Sequence, residues 1–255
     1  EVVVIGSSDG EEEEEEEEYD SDNDDGTKCA KCGSGNPQGF LLCDGCPGGR
    51  HLHCLSPPRA DVPTGDWFCP DCVPVLCKAL DAAAAAGAAE SLRGLTDGRQ
   101  VAGAIREMEI EKILGSRSSA PPGTLASPAD KHRHAAHAEP SGARREDLEY
   151  LVKLQGLSHR RNLWLPELAV RVWNGTRLSH FKSKHEGEDD VEPLVSPEWT
   201  LPERVVAERG SKAAREYLIK WRGLGYDAAT WEPEADLGDA ACQEELQRYR
   251  DLEAR

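Results

Sequence analysis

Short apolar runs separated by glycine turns recur along this chain, and two of them are copies of each other. Glu149-Tyr-Leu-Val-Lys-Leu-Gln-Gly-Leu157 aligns with Glu216-Tyr-Leu-Ile-Lys-Trp-Arg-Gly-Leu224 at an offset of 67 residues, as does Trp164-Leu-Pro-Glu167 with Trp231-Glu-Pro-Glu234. Each copy predicts a strand, a glycine turn, and a second strand entered near a tryptophan. Helical spacing follows over residues 178–185 and 240–252, where Leu246 and Tyr249 stand three apart on one face. The pattern predicts small α+β modules, each a sheet with a helix. Trp164 and Trp231 are expected in the cores, because a repeated module needs a repeated core.

Ahead of the repeat the pattern gives way to ligand chemistry. Cys29-x2-Cys32, Cys43-x2-Cys46, His51-x2-Cys54 and Cys69-x2-Cys72 supply ligands for two tetrahedral Zn2+ ions. Four such pairs interleave, so Cys29, Cys32, His51 and Cys54 are expected to share one zinc and Cys43, Cys46, Cys69 and Cys72 the other. Four protein ligands per ion leave no position for a catalytic water, which makes both zincs structural. A disulfide scaffold is the competing reading, and it does not account for histidine in one of the eight slots. His53 is an alternative ligand, but only His51 stands in a His-x2-Cys pair.

The ligand order, with Trp67 two residues before Cys69 in GDWFCPDC and the stretch LLCDGC, resembles a plant homeodomain (PHD) zinc finger. A RING finger is the near neighbour; it places histidine at the fourth ligand position, where this chain has Cys46. The pattern EYLVKxxGL…WxPE resembles the chromodomain, which implies a three-stranded sheet closed by a C-terminal helix. That resemblance makes Met108-Glu-Ile-Glu-Lys-Ile-Leu114 and Trp199-Thr-Leu-Pro-Glu-Arg-Val-Val206 the first strands of the two copies. In the first copy a Ser/Pro/Ala/His-rich stretch at 116–143 then reads as an inserted disordered loop. A finger followed by two chromodomains resembles the chromodomain-helicase-DNA-binding remodellers of the Mi-2 and plant PICKLE type. The organisation expected is an acidic tail at 1–25, a PHD finger at 26–76, a linker at 77–104, chromodomain 1 at 105–185, a linker at 186–197 and chromodomain 2 at 198–255. The alanine-rich stretch at 75–89 reads equally as helix or disordered linker.

Composition adds to this. Only 5% of residues are aromatic and 31% are charged, which argues against one large core. The sequence begins at Glu1 and holds a single methionine, Met108, so it reads as a fragment of a longer polypeptide. No apolar stretch is long enough to span a bilayer, and no membrane partner is expected. Paired thiols that must stay reduced fit the cytosol or nucleus, and the resemblance implies the nucleus. Residues 1–25 hold fourteen acids and no bases, including the run Glu11 to Glu18, so this tail is predicted to be disordered and solvated. It reads either as a solubilising segment or as a competitor for basic surfaces. From Lys131 to His185 the balance reverses to net +6.

Those bases are candidate phosphate contacts: Arg144, Arg145, Lys153, Arg160, Arg161, Arg171, Arg177, Lys182 and Lys184. A merely solvated basic face is the alternative. The chromodomain resemblance places methyl-lysine cage positions at Met108, Leu154 and Leu157 in the first copy, none of them aromatic, so no such ligand is expected there. In the second copy Trp221 takes one position, Leu224 another and Thr200, beside Trp199, the third. This is a partial cage at best.

The finger resemblance implies capture of the histone H3 tail as an added strand along Gly39, Phe40, Leu41 and Leu42. Gly49 stands where trimethyl-lysine readers often carry tryptophan. Asp44 reads two ways, as a partner for an unmodified ammonium or as part of the zinc knuckle. The expected function is nucleosome recognition through the H3 tail and nucleosomal DNA, for a motor that follows this sequence and alone uses ATP. No GxxxxGK[ST] motif is present. The alternative is a scaffold that recruits subunits of a remodelling complex. An enzyme within these residues is not expected, since Cys77 and Cys242, the two non-ligand cysteines, sit in no nucleophile motif.

Overall fold

The computed structural model describes residues 28–118 and 148–254. The acidic tail, nearly all of the 116–143 insertion, Arg144 and Arg145 lie outside them.

The finger contributes one antiparallel pair, β1 (Phe40–Leu42) and β2 (Gly49–His51), in the register Leu41 opposite Arg50. Its last predicted ligand, Cys72, is also the first residue of α1 (Cys72–Ala85). The segment expected as a linker at 77–104 is therefore ordered core. Leu76, Leu80 and Ala83 line the buried face of α1, a 3-10 turn buries Leu92, and α2 (Gly98–Arg106) buries Val101. The periodicity of α1 supports this placement, because its leucines and buried alanines fall on one stripe and the alanines let neighbouring elements approach closely. Asp97 caps α2 by accepting from the Arg99 N–H.

Two three-stranded antiparallel sheets follow. The first orders β3 (Ile110–Ser118), β4 (Leu148–Leu154) and β5 (Leu163–Pro166), then α3 (Glu167–Lys184). The second orders β6 (Pro202–Ser211), β7 (Ala214–Trp221) and β8 (Thr230–Pro233), then α4 (Ala240–Glu253). The registers are copies: Ile110 pairs with Leu154 as Pro202 pairs with Trp221, and Glu149 with Pro166 as Glu216 with Pro233. Even the register shifts coincide, between Ile113 and Gly115 and between Val205 and Ala207. A buried lysine repeats too, Lys153 on Glu111 and Lys220 on Glu203, both at 2.7 Å. Helix α3 starts well before the expected 178–185 and bends at Asn174, whose φ of −157° is not helical.

The tryptophans exchange their expected roles. Trp164 and Trp231 are half-buried, each beneath an arginine, Arg117 at 4.0 Å and Arg209 at 4.2 Å from the ring centroid. Trp221, expected at a ligand cage, is fully buried instead, its Nε1 donating to Thr230 Oγ1 at 2.9 Å. Strand alternation explains this, since Tyr217, Ile219 and Trp221 share the inward face of β7 with zero or near-zero exposure.

One continuous apolar core runs from Cys43, Phe68 and Cys72 of the finger through α1 and α2 into the first sheet and α3. The second module has its own core, around Tyr217, Trp221, Leu237 and Leu246. The residues 186–197 expected as a free linker instead extend along β3, where Ser116 and Val191 exchange both backbone bonds at 3.0 Å. Gly115 permits this approach, because a Cβ there would meet the Val191 carbonyl at 2.7 Å.

The 3-10 turn His159–Arg161 joins the two modules. His159 packs on Trp199 with ring centroids 4.9 Å apart. Arg160 bonds Asp239 at 2.7 Å, and Arg161 bonds Glu232 at 3.1 Å and Asp236 at 2.5 Å. Arg161 also donates to the Ala86 carbonyl beyond the end of α1, at 2.7 Å. Gly87, with φ of +91°, leaves room for it; a Cβ there would lie 2.5 Å from Arg161 Nη1.

Two outcomes are expected from this packing. Leu80→Ala should lower unfolding free energy by about 2–5 kcal/mol, and urea denaturation should report finger and first-module signals losing structure together. Separate transitions would show that they fold independently. Burial, with help from Lys153 and Lys112 and opposition from Glu111, holds the His159 pKa below 6.5. As pH falls below 6.5 the unfolded chain takes that proton first. Stability from this group is therefore complete above that pH and declines below it. The urea midpoint measured at pH 7.5 and 5.5 should shift less in His159→Gln than in the unsubstituted chain.

Candidate metal centres and the surfaces around them

The two expected ligand sets converge. In each, Cys29, Cys32, His51 and Cys54, or Cys43, Cys46, Cys69 and Cys72, the ligand atoms all lie within 4.8 Å of one another. The sulfur separations Cys43 to Cys72 and Cys46 to Cys69 are both 3.8 Å. A tetrahedron with metal–sulfur bonds of about 2.3 Å has edges of about that length. The donor chemistry fits zinc, with three thiolates and an imidazole in the first site and thiolates alone in the second, and both sites are structural.

Backbone groups hold the ligands in place. The N–H groups of Gly45 and Cys69 point at Cys43 Sγ from 3.3 and 3.1 Å. In the first site His51 Nδ1 lies 3.4 Å from Cys32 Sγ, while Nε2 donates to the Asn36 carbonyl at 2.7 Å. That hydrogen bond keeps the proton on Nε2 and leaves the Nδ1 lone pair for the metal. The Asn36 carbonyl is invisible to a ligand-spacing argument, because a backbone group carries no sequence signature. His53 is exposed and stacks on His51 at 5.0 Å, outside the ligand set.

Among the described residues no strand lies beyond β1 in the finger's sheet, and of the donors on that edge the Phe40 N–H is taken by the Pro37 carbonyl at 3.2 Å. The ladder bonds of Gly39 and Cys43 turn the backbone groups of Phe40 and Leu42 away from β2. Leu42 is 63% exposed and Leu41 is buried. Gly49 cannot be the aromatic of a cage, since even a Cβ there would lie 2.3 Å from the Phe40 ring. Asp44 serves the knuckle: its Oδ2 accepts the Trp67 N–H at 2.6 Å, and its own N–H donates to the Trp67 carbonyl at 3.0 Å. Trp221 lies in the core of the other module, away from this sheet.

The predicted phosphate contacts do not form one surface. Lys153 is buried on Glu111, and Arg160 and Arg161 are taken up between the modules. Arg171 donates to the Gly45 carbonyl of the second zinc knuckle, and Lys182 pairs with Glu167 at 2.8 Å. Among the described residues only Arg177 and Lys184 of the nine keep side chains without an acidic or carbonyl partner. The acids that capture the arginines, Glu232, Asp236 and Asp239, belong to the module 67 residues on, and no local pattern marks them.

Comparison with known proteins agrees with this geometry. The PHD-finger family matches residues 29–72 and the Chromo (CHRromatin Organisation MOdifier) domain family matches residues 200–252. The chain is 29% identical over 239 residues to the CHD3-type chromatin-remodeling factor PICKLE of Arabidopsis thaliana, covering 89% of this chain and 14% of that protein. It is 25% identical over 219 residues to a Chromodomain-helicase-DNA-binding protein 3 homolog of Caenorhabditis elegans, covering 76% of this chain and 11% of that protein. Remodeling and spacing factor 1 of Homo sapiens is 48% identical over 60 residues, 23% of this chain and 4% of that protein. The chain thus spans about one seventh or less of the length of these relatives. It carries a segment that matches the PHD-finger family and another that matches the Chromo domain family, and it is similar along most of its length to CHD3-type chromatin-remodelling factors.

Proposed function

We propose that this chain is the nucleosome-recognition region of an ATP-dependent chromatin remodeller acting in the nucleus. In this reading the finger takes the histone H3 tail as a third strand along β1, and both sheet modules are chromodomains that face nucleosomal DNA and position a motor. The observation that carries the reading is the β1 edge of a zinc-braced sheet, with no strand beyond it among the described residues, in a chain similar over 89% of its length to a remodelling factor. Edge addition suits it, because the backbone bonds supply affinity whatever the tail sequence and exposed Leu42 offers a side-chain contact. The missing aromatic at Gly49 supports unmodified over trimethylated lysine in the tail.

The DNA arm narrows to Arg177 and Lys184 of α3, with Arg144 and Arg145 beyond the described residues. A second reading is favoured by the same observation: a surface that spends most of its bases on internal partners suits a scaffold for subunits of a remodelling complex. The two readings differ in salt dependence.

Two measurements test these proposals. Isothermal titration of H3 tail peptides should show the unmodified peptide binding at least as tightly as the trimethyl-lysine forms. Leu42→Pro, which removes an outward N–H, should abolish binding while zinc content stays at two per chain. Tighter trimethyl binding would overturn the preference, and undiminished binding by Leu42→Pro would overturn edge addition. For DNA, affinity for nucleosomes should fall steeply with salt, and Arg177→Glu with Lys184→Glu should lower the log–log slope by about two. Salt-independent binding that survives the double change would leave the scaffold reading.

A further inference from the structure

The turn His159–Arg161 meets the second module as a ligand meets a site. Arg160 lies with its guanidinium carbon 5.8 Å from the centroid of the Trp221 ring, bonds Asp239 Oδ2 at 2.7 Å and donates to Cys242 Sγ at 3.0 Å. All three donor nitrogens of Arg161 have acceptors: Nε on Glu232, Nη2 on Asp236, Nη1 on the Ala86 carbonyl. Behind them a chain of bonds fixes the site from within. Trp221 Nε1 donates to Thr230 Oγ1 at 2.9 Å, and Thr230 Oγ1 donates to Glu232 Oε1 at 2.7 Å. Glu232 is 3% exposed, and a buried carboxylate of this kind requires a cation opposite it.

The charges do not balance between the modules alone. Two arginines face three carboxylates, Glu232, Asp236 and Asp239, and the carboxylates at Asp236 and Asp239 are half open to solvent at 50% and 41% side-chain exposure. A planar guanidinium matches this arrangement because it offers forked donors and a face for the indole, which a lysine ammonium does not. Among the described residues the first module has no equivalent. There β5 carries Leu165 where β8 carries Glu232, an offset of 67.

We propose that Trp221, Glu232, Asp236 and Asp239 form a guanidinium-binding site on the second module, which Arg160 and Arg161 fill in cis and which a peptide presenting adjacent arginines on a similar turn occupies when the two modules separate. The first module's turn is thus the resident ligand of the second. Docked modules close the site, and an incoming arginine pair competes with the turn for the same carboxylates.

The test uses the full chain and a fluorescent peptide of residues 157–163, with a second peptide in which citrulline replaces both arginines. Arg160→Ala with Arg161→Ala should empty the site. A tethered turn presents an effective concentration on the order of millimolar, so the double variant should take the arginine peptide at least about tenfold more tightly than the unsubstituted chain. The citrulline peptide should bind neither. Adding Asp236→Asn and Asp239→Asn should remove binding; asparagine at 239 still caps α4, whose Cys242 N–H the residue accepts. Equal peptide binding by the unsubstituted chain and the double variant, or persistence of binding after the two Asn changes, would overturn the proposal. If the double variant loses its near-ultraviolet circular dichroism, the Asp236→Asn and Asp239→Asn changes alone decide through hydrogen exchange. Faster exchange at residues 159–162 and in β8, with the finger unchanged, supports the site, and unchanged exchange overturns it.

Discussion

Cys72 belongs to two structures at once, as the eighth metal ligand and as the first residue of α1. The metal that fixes it therefore also fixes where a helix starts and which way it runs. Structural zinc contributes apparent binding free energy of about 10–16 kcal/mol in finger peptides, and here part of that energy anchors a helix whose inner face supports the first sheet module. From this one coincidence the rest follows: α1 presents Leu76 and Leu80 to the common core, and α3 lies against the zinc knuckle with Leu168 beside Gly45. Beyond the far end of α1, the Ala86 carbonyl and Gly87 receive Arg161. Finger and first module share a core because the metal site is built into its edge.

The second module is attached by different physics. Its core is separate, and what joins it to the rest is ionic and aromatic: His159 on Trp199, Arg160 on Asp239, Arg161 between Glu232 and Asp236. A buried ion pair gains little over its desolvation cost when compared with an apolar contact, but it is intolerant of misplacement. It specifies one orientation of the two sheets. This division of labour matters for any surface the chain offers, because the bases that could meet phosphate are largely committed to holding its own parts together.

The copied sheets show what a repeat preserves. Strand register, register shift and the buried lysine with its glutamate partner recur, and so does the arginine stacked over an outer tryptophan. Two of the differences set how the copies are used: Gly115 against Ala207 at the strand edge, and Leu165 against Glu232 at the joint. At the first position glycine lets the chain return along β3. At the second, glutamate receives an arginine.

Ligand identity, the pairing of ligands between two metals and the twofold repeat are legible in the amino-acid order, because each depends on residue types at short fixed spacings. The alanine-rich stretch is ambiguous in sequence, because alanine favours helix without saying what would cover it; the burial of Leu76, Leu80 and Leu92 decides it. Trp164, Trp221 and Trp231 sit on the opposite sides from those their sequence context suggests, since a tryptophan in a short strand carries no mark of which sheet face is covered until a helix packs there. The basic turn resembles a DNA surface for the same kind of reason. Charge is a property of the residue, but whether it is free depends on what stands opposite, and for Arg160 and Arg161 that is a carboxylate more than seventy positions away. Sequence alone determined the metal sites and the modules; the tertiary structure decided which side chains remain available, because burial and ion pairing are set by contacts between distant segments.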